Sequence, residues 1–388
     1  MEQPHGTEQG NQNLVCKLSK AIYGFKQAPR AWYSKLKQVL QQLGFQFSEA
    51  DNSLFFRRTN TSYIIILVYV DDILITGNND KEISNLVHLL DVSFSLKDLG
   101  LVHHFLGIEV THSKSGMHLY QQQYAKDLLK RVHMSSAKGS ITPMVSSPNL
   151  SKVVGDSIAD GTLYRSVIGG LQYITIIRPD IVYSVNKLSQ FMQNPLDSHW
   201  KALKRVLRYL AATSNFGLNF TKSSTLQITG YSDSDWATDL DDRKSITGFC
   251  VYLGDNLVSW CSKKPATVSR SSTEAEYRSL SHYATEVIWI RNLLTELHVP
   301  IVRTTVIWTD NIGAKALASN PFFHSRIKHV ELDVHFIREK VNDGILTIQH
   351  VPSIDQTADA LTKPLSKQSF TRFRSRFNVV PTPSPGFD

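Results

Sequence analysis

Thr61–Asn78 reads TSYIIILVYVDDILITGN, and the way its apolar runs meet two acids decides the fold of the first part of the chain. Ile64–Val68 and Ile73–Ile75 are almost unbroken apolar runs rich in β-branched side chains, the pattern of two buried strands. Between them stand Asp71 and Asp72, adjacent acids where a core excludes charge. A plain hairpin turn accepts Asp. Against that, Gly, the usual turn partner, is missing, and the flanks are too apolar for a solvated tip. Two carboxylates at a strand tip instead suit Mg²⁺, which takes a few carboxylate oxygens together with substrate phosphates.

Upstream lies KLSKAIYGFKQAPRAWY (Lys17–Tyr33). Pro29 followed by Ala31, Trp32, Leu36, Val39, Leu40 and Leu43 predicts a helix that starts at Pro and ends at Gly44. Lys17, Lys20, Lys26 and Arg30 interleave with Tyr23, Phe25 and Trp32. Cations among aromatics suit phosphate contact with base stacking, or a solvated basic face over a packed aromatic helix. Downstream, Lys81–Val92 has helical spacing, and Ser95–Val110 predicts a short strand pair. His103 and His104 lack a second ligand cluster at metal-binding spacing and read as a surface pair.

The 388 residues suffice for two or three domains with their own cores, and 41% hydrophobic with 20% charged residues is ordinary for a soluble globular chain. A formal charge of +8 and a pI near 9.2 suggest a polyanionic partner. Cys16, Cys250 and Cys261 form no CxxC pair, so neither a zinc knuckle nor a disulfide framework is expected. The polar start MEQPHGTEQGNQN has no signal-peptide core, and no apolar run approaches the length of a membrane span. These features predict an intracellular, cytoplasmic protein with no membrane partner.

Met117–Met134 predicts a strand and then a helix, and Ser135–Asp160, rich in Ser, Pro, Gly and Lys, a linker. Tyr164–Ala211 has strong helical periodicity. Its last helix carries Lys201, Lys204, Arg205 and Arg208 opposite an apolar face, a stripe suited to solvent or to nucleic acid. From residue 226 three strands precede an alternation of helices and strands, which implies a mixed sheet with helices on its faces. Four acids, Asp233, Glu276, Asp310 and Asp359, fall at strand ends or early in helices. Three of them also have plain structural readings: Glu276 fits a capping box with Thr273, Asp310 an N-cap, and Asp359 a helix-dipole partner after a Ser353–Gln356 capping box. In SSTEAEY, Glu276 shares its helix face with Leu280, Tyr283 and Val287, whereas Glu274 shares a polar face with Arg278, Ser281 and Thr285. Strand alternation puts Asp233 and Asp235 on one face and does not choose between them. HSRIKHVELDVH (His324–His335) reads as a basic helical face, and the Pro-rich end from Val379 as disordered.

Together these stretches resemble the Pol polyprotein of Ty1/copia-type retrotransposons. Tyr69-Val70-Asp71-Asp72 resembles the polymerase signature of reverse transcriptases. Lys17–Tyr33 resembles the segment before the catalytic hairpin, and Phe105–Glu109 the primer-gripping hairpin. GYSDSDWA, SSTEAEY, WTDN and DQTADALTK are similar, in order, to the four acidic motifs of ribonuclease H, and the resemblance favours Asp233 over Asp235. It implies an α+β and α/β multidomain chain. The expected parts are a truncated polymerase palm (1–110), a helical thumb and connection (111–225), a ribonuclease H-like mixed sheet with helices (226–370) and a disordered tail (371–388). It implies Mg²⁺, or Mn²⁺, on Asp233, Glu276, Asp310 and Asp359 and on Asp71 and Asp72, all six catalytic. It implies nucleic-acid contacts at Gly24, Lys26, Gln27 and Arg30, and on the basic stripe at Lys204 and Arg208. The expected partners are an RNA–DNA hybrid and a template–primer. The family's further catalytic aspartate lies upstream of a stretch ending in something like MEQP, with which this chain begins. The polymerase part is therefore expected to be incomplete and inactive by itself. The expected activity is cleavage of RNA in RNA–DNA hybrids. Alternatives are a catalytically dead nucleic-acid-binding remnant, or a polymerase completed by another chain. The loop before Asp359 lacks the mobile histidine of some ribonucleases H, and His350 lies on the strand before that loop.

Overall fold

A computed structural model describes residues 22, 24–147, 149–319 and 331–383. Cys16, Lys17, Lys20, Tyr23 and residues 324–330 lie outside them. The chain forms two compact units, Met1–Gly100 and Leu101–Asp388.

In the first unit, α1 (Ala28–Gln42) starts with Pro in its first turn. It stops at Leu43, after which Gly44 takes φ +81, a conformation that lacks a Cβ penalty only in glycine. Strands β1 (Gln46–Phe47), β2 (Leu54–Arg58), β3 (Tyr63–Tyr69) and β4 (Asp72–Gly77) pair antiparallel in that order. Helix α2 (Asp80–Phe94) follows, its first turn closed by the Asn79 side chain accepting from the Glu82 amide. Ile64, Ile66 and Val68 point inward from β3 and pack with Leu36, Leu40, Leu86 and Leu90. Each such burial contributes roughly 1.5–3 kcal/mol. The two strands are not buried as the apolar runs predict. Among the described residues, helices cover one sheet face; Ile65 and Leu67 are half-buried, and Tyr69 and Val70 at the tip are both 55% exposed.

Among its described residues the second unit contains two five-stranded sheets. Strands β5 (His104–Phe105), β6 (Ile108–Ser113) and β7 (Gly116–Tyr120) form a meander and lead into α3 (Gln122–Arg131). Strand β6 runs through the boundary expected at residue 110. Helices α4 (Gly161–Ile174), α5 (Val182–Ser189) and α6 (Asp197–Ala212) bury Tyr164, Val167, Leu171, Leu188, Leu203 and Leu207 in one cluster. Strand β8 (Phe216–Thr221) then returns beside β7. The region expected to be a helical thumb and connection is thus mainly helical but also contributes strands to a sheet.

The other sheet has the order β11-β10-β9-β12-β13. Strands β9 (Ile228–Asp235), β10 (Ile246–Leu253) and β11 (Asn256–Lys263) are antiparallel; β12 (Thr305–Thr309) and β13 (Leu346–His350) extend it in parallel. Helices α7 (Ser272–Glu296), α8 (Ile312–Ser319) and α9 (Glu331–Asn342) share its core, in which Tyr283, Val287, Ile307 and Ile337 are fully buried. Short α10 (Asp359–Thr362) lies against β9 and β10.

The end of the chain corrects the expectation of a tail from residue 371. Helix α11 (Lys367–Arg376) buries Phe370 and Phe373, and β14 (Val379–Pro381) pairs antiparallel with β8. Aromatic burial outweighs the turn-prone composition that suggested disorder. Among the described residues, no helix is long and apolar enough to cross a membrane.

Candidate functional site

The centre of the mixed sheet brings together acids from three elements. Oxygen atoms of Asp233, Glu276 and Asp310 all lie within 4.8 Å of one another. Asp233 sits on central strand β9, opposite Gly248 of β10. Ser232 Oγ donates to Ser279 Oγ (2.7 Å), which donates to the Asp233 carbonyl (2.9 Å). These bonds lock α7 onto β9, and Glu276, one turn before Ser279, faces Asp233. Glu274 is also buried but is satisfied elsewhere: it accepts from the Arg270 amide (2.9 Å) and pairs with Arg278 (2.8 Å). Helical spacing therefore separates the two glutamates as the sequence indicates, although Glu274 is not on a solvated face.

Asp310 follows β12. The amide of Ala314 is capped by Asn311 Oδ1 at 2.8 Å, which leaves the Asp310 carboxylate free to accept from Ser353 Oγ at 2.7 Å. Ser353 and Gln356 form no capping box. Ser353 turns to Asp310, Gln356 Nε2 donates to the Ser232 carbonyl (3.0 Å), and Ser353–Asp355 makes a 3₁₀ turn.

Asp359 opens α10, and the close approach of that helix depends on Gly248. A Cβ there would come within 2.7 Å of Thr362 Cγ2 and 2.9 Å of Leu361 Cβ. Thr362 Oγ1 donates to Asp233 Oδ2. Lys363 Nζ lies 2.8 Å from Asp359 and 4.0 Å from Asp233. The fourth acid is thus held by Lys363 beside the other three. Sequence reading gave Lys363 no role, although its i,i+4 spacing from Asp359 in DALTK was the available signal.

Burial foremost, and then the Asp233 and Asp310 carboxylates, push the Glu276 carboxyl up to about 10. Burial and the Asp233 charge bring Asp359 to about 7 against the pull of Lys363. Asp233 is raised by burial too. Burial works against the charge on Lys363, but Asp233 and Asp359 outweigh it and hold its pKa above the ordinary value. Asp235, on the same strand, is raised by burial and bonded to Thr238, outside the cluster. Like charges this close do not all ionise without a counter-charge. Glu276 Oε2 is buried and meets no hydrogen-bond donor at bonding geometry among the described residues. An all-carboxylate set with a free buried oxygen fits a hard divalent cation.

Asp71 and Asp72 are exposed at the β3–β4 tip, where Tyr69 pairs with Asp72 across a two-residue turn. Val70 takes φ +52 there, unusual for a β-branched residue and typical of a constrained site. No third metal-ligating side chain joins these two acids among the described residues. Gly24, Lys26, Gln27 and Arg30 are exposed around the start of α1, with Gly24 at φ +92. Lys204 is exposed with its Nζ 5.7 Å from the Trp200 ring centroid, and Arg208 is half-buried on the same helix. His103, His104 and His350 are exposed.

The reverse transcriptase (RNA-dependent DNA polymerase) family matches residues 1–146. The chain is 50% identical over 384 residues to the retrovirus-related Pol polyprotein from transposon RE1 of Arabidopsis thaliana, a match covering 99% of this chain and 26% of that protein. It therefore spans about a quarter of the length of that polyprotein. A putative transposon Ty5-1 protein of Saccharomyces cerevisiae is 33% identical over 291 residues, covering 74% of this chain and 94% of the relative. Among solved structures, LC11-RNase H1 in complex with RNA/DNA hybrid aligns with 35% of this chain and 94% of its own, at 13% identity and a TM-score of 0.27. With a relative matched over nearly its whole length and a reverse transcriptase match at its start, the chain belongs to the Ty1/copia-type retrotransposon Pol family.

Proposed function

We propose that the second unit hydrolyses the RNA strand of RNA–DNA hybrids with Mg²⁺ or Mn²⁺. The observation that carries this is the meeting of Asp233, Glu276 and Asp310 in the middle of a mixed sheet, with Asp359 and Lys363 beside them. Those three carboxylates would hold the cation, and Asp359 completes the acidic wall. When bound, the cation supplies positive charge against the scissile phosphate and acidifies the attacking water. The water oxygen bonds to phosphorus, the bond to the 3′ oxygen breaks, and that oxygen takes a proton. Thr362 and Ser353 fix the orientation of Asp233 and Asp310 through their hydroxyls. Lys363 keeps Asp359 in place and adds a cation where the phosphate would lie. The substrate would be recognised by the A-like form of the hybrid and by its 2′-hydroxyls rather than by base sequence.

In the first unit, Asp71 and Asp72 are assigned as two carboxylates of a polymerase cation site. Gly24, Lys26, Gln27 and Arg30 are assigned as contacts to a template–primer. The constrained, exposed turn at Val70 supports that reading.

The test is cleavage of an end-labelled RNA–DNA hybrid by the purified chain with Mg²⁺, beside Asp310→Asn. Internal cuts in the RNA strand that disappear in the variant are expected. Tight binding of the hybrid with no cut by either protein would overturn the hydrolase reading in favour of a nucleic-acid-binding remnant.

A further inference from the structure

A cleft of about 690 Å³ lies between α6, the segment 138–146 and the start of α11. Four cations line it: Lys138, Arg205, Arg208 and Lys367. Hydroxyls come from Ser140, Thr142, Ser146 and Ser366, and no Asp or Glu lines it among the described residues. None of the four cations has a carboxylate within ion-pair distance among those residues. A solvated basic face normally intersperses acids, and this concave one does not.

The walls are fixed. Arg205 Nη2 donates to Thr142 Oγ1 (2.8 Å), the Ser140 amide donates to the Arg208 carbonyl (3.2 Å), and Ser146 Oγ donates to the Pro364 carbonyl (3.4 Å). The Nε atoms of both arginines are buried, so their stems are packed, and both side chains line the cleft. Burial foremost, with a smaller repulsion from Arg208, lowers the pKa of Arg205. An anion with several acceptor oxygens relieves that repulsion.

We infer that this cleft seats backbone phosphates of the nucleic-acid strand that continues from the acidic centre. The inference rests on the hybrid as proposed substrate. One chain segment joins the two places: Asp359 and Lys363 stand at the acids, and Leu365, Ser366 and Lys367 line the cleft. Four residue steps from Lys363 to Lys367 span at most ~14 Å. With one phosphate per ~3.4 Å of strand, the seated phosphates lie within about four nucleotides of the cut. Exposed Ile141 and Val145 at the rim suit sugar faces between the phosphates.

The experiment measures binding of labelled RNA–DNA hybrids across a salt series, in chelator so that nothing is cut. The unaltered chain is compared with Arg208→Gln/Lys367→Gln and with Lys126→Gln/Lys222→Gln, which removes the same charge outside the cleft. A hybrid long enough to reach the cleft should lose about tenfold in affinity in the cleft variant, and its log–log salt slope should fall by nearly two. Equal weakening by the control pair, or no binding of hybrid by the unaltered chain, overturns the assignment. So does inorganic phosphate binding, seen by ³¹P NMR, that is lost in the cleft variant while hybrid affinity and salt slope stay unchanged. Absence of cleavage with the slope difference intact would refute the hydrolase reading alone.

Discussion

Replacing Glu276 with Gln should stabilise the metal-free protein at neutral and alkaline pH while abolishing hybrid cleavage. Folding carries the Glu276 carboxyl from its ordinary 4.5 to about 10, through burial and then through Asp233 and Asp310. At pH 7 the unfolded chain holds it ionised and the folded chain holds it protonated. The raised pKa therefore gives its full stabilisation below pH 4.5, and that contribution is lost as pH rises toward 10. At ~1.4 kcal/mol per pH step, the loss by pH 7 amounts to about 3 kcal/mol. Gln keeps the shape and a neutral polar end, so the variant escapes this loss. The assay is urea unfolding of both proteins in chelator at pH 4.5, 7 and 8.5. The variant should match the parent at the lowest pH and exceed it by up to about 3 kcal/mol at pH 7, with Mg²⁺ restoring the parent alone. A variant destabilised by the same amount at every pH, or a parent whose stability does not fall as pH rises, would refute the electrostatic account of the site.

Two further outcomes follow from the packing. Gly248→Ala should leave the chain folded but reduce cleavage by at least tenfold, because its Cβ meets Thr362 and Leu361 and pushes α10 off β10; circular dichroism and the hybrid assay together read this. Phe373→Ala, emptying a site only 2% exposed, should cost ~3–5 kcal/mol in urea unfolding and thereby show that the end of the chain belongs to the core.

What the sequence disclosed was what periodicity and local chemistry carry. The β3–β4 hairpin, the order of strands and helices after residue 226, and the choice of Glu276 over Glu274 all follow from spacing along one element. Contacts between elements were not legible. The spacing in DALTK puts Lys363 within reach of Asp359, but nothing local announces that it also approaches Asp233, since that contact depends on where α10 lands. Ser353 and Gln356 looked like a local capping pair, yet each serves a residue more than 40 positions away. The hairpin's apolar runs suggested burial on both faces, but strand composition does not say how many helices cover a sheet. The end of the chain is illegible for a related reason: its Pro and Ser content is visible in the sequence, whereas its pairing with β8 is not.

The pairing of β14 with β8 also sets the order in which the second unit can form. Phe216 meets Pro381, and Asp233 meets Thr362 across 129 residues. Contacts so distant in sequence require closing long loops before any of their stabilisation is gained, which makes folding slow. On a ribosome, β7 and β8 are made well before β14, and Asp233 well before Asp359. The acidic centre and the sheet edge thus complete together and late, and until residue 381 has emerged the nascent unit presents β8 as an open edge for other chains to pair with.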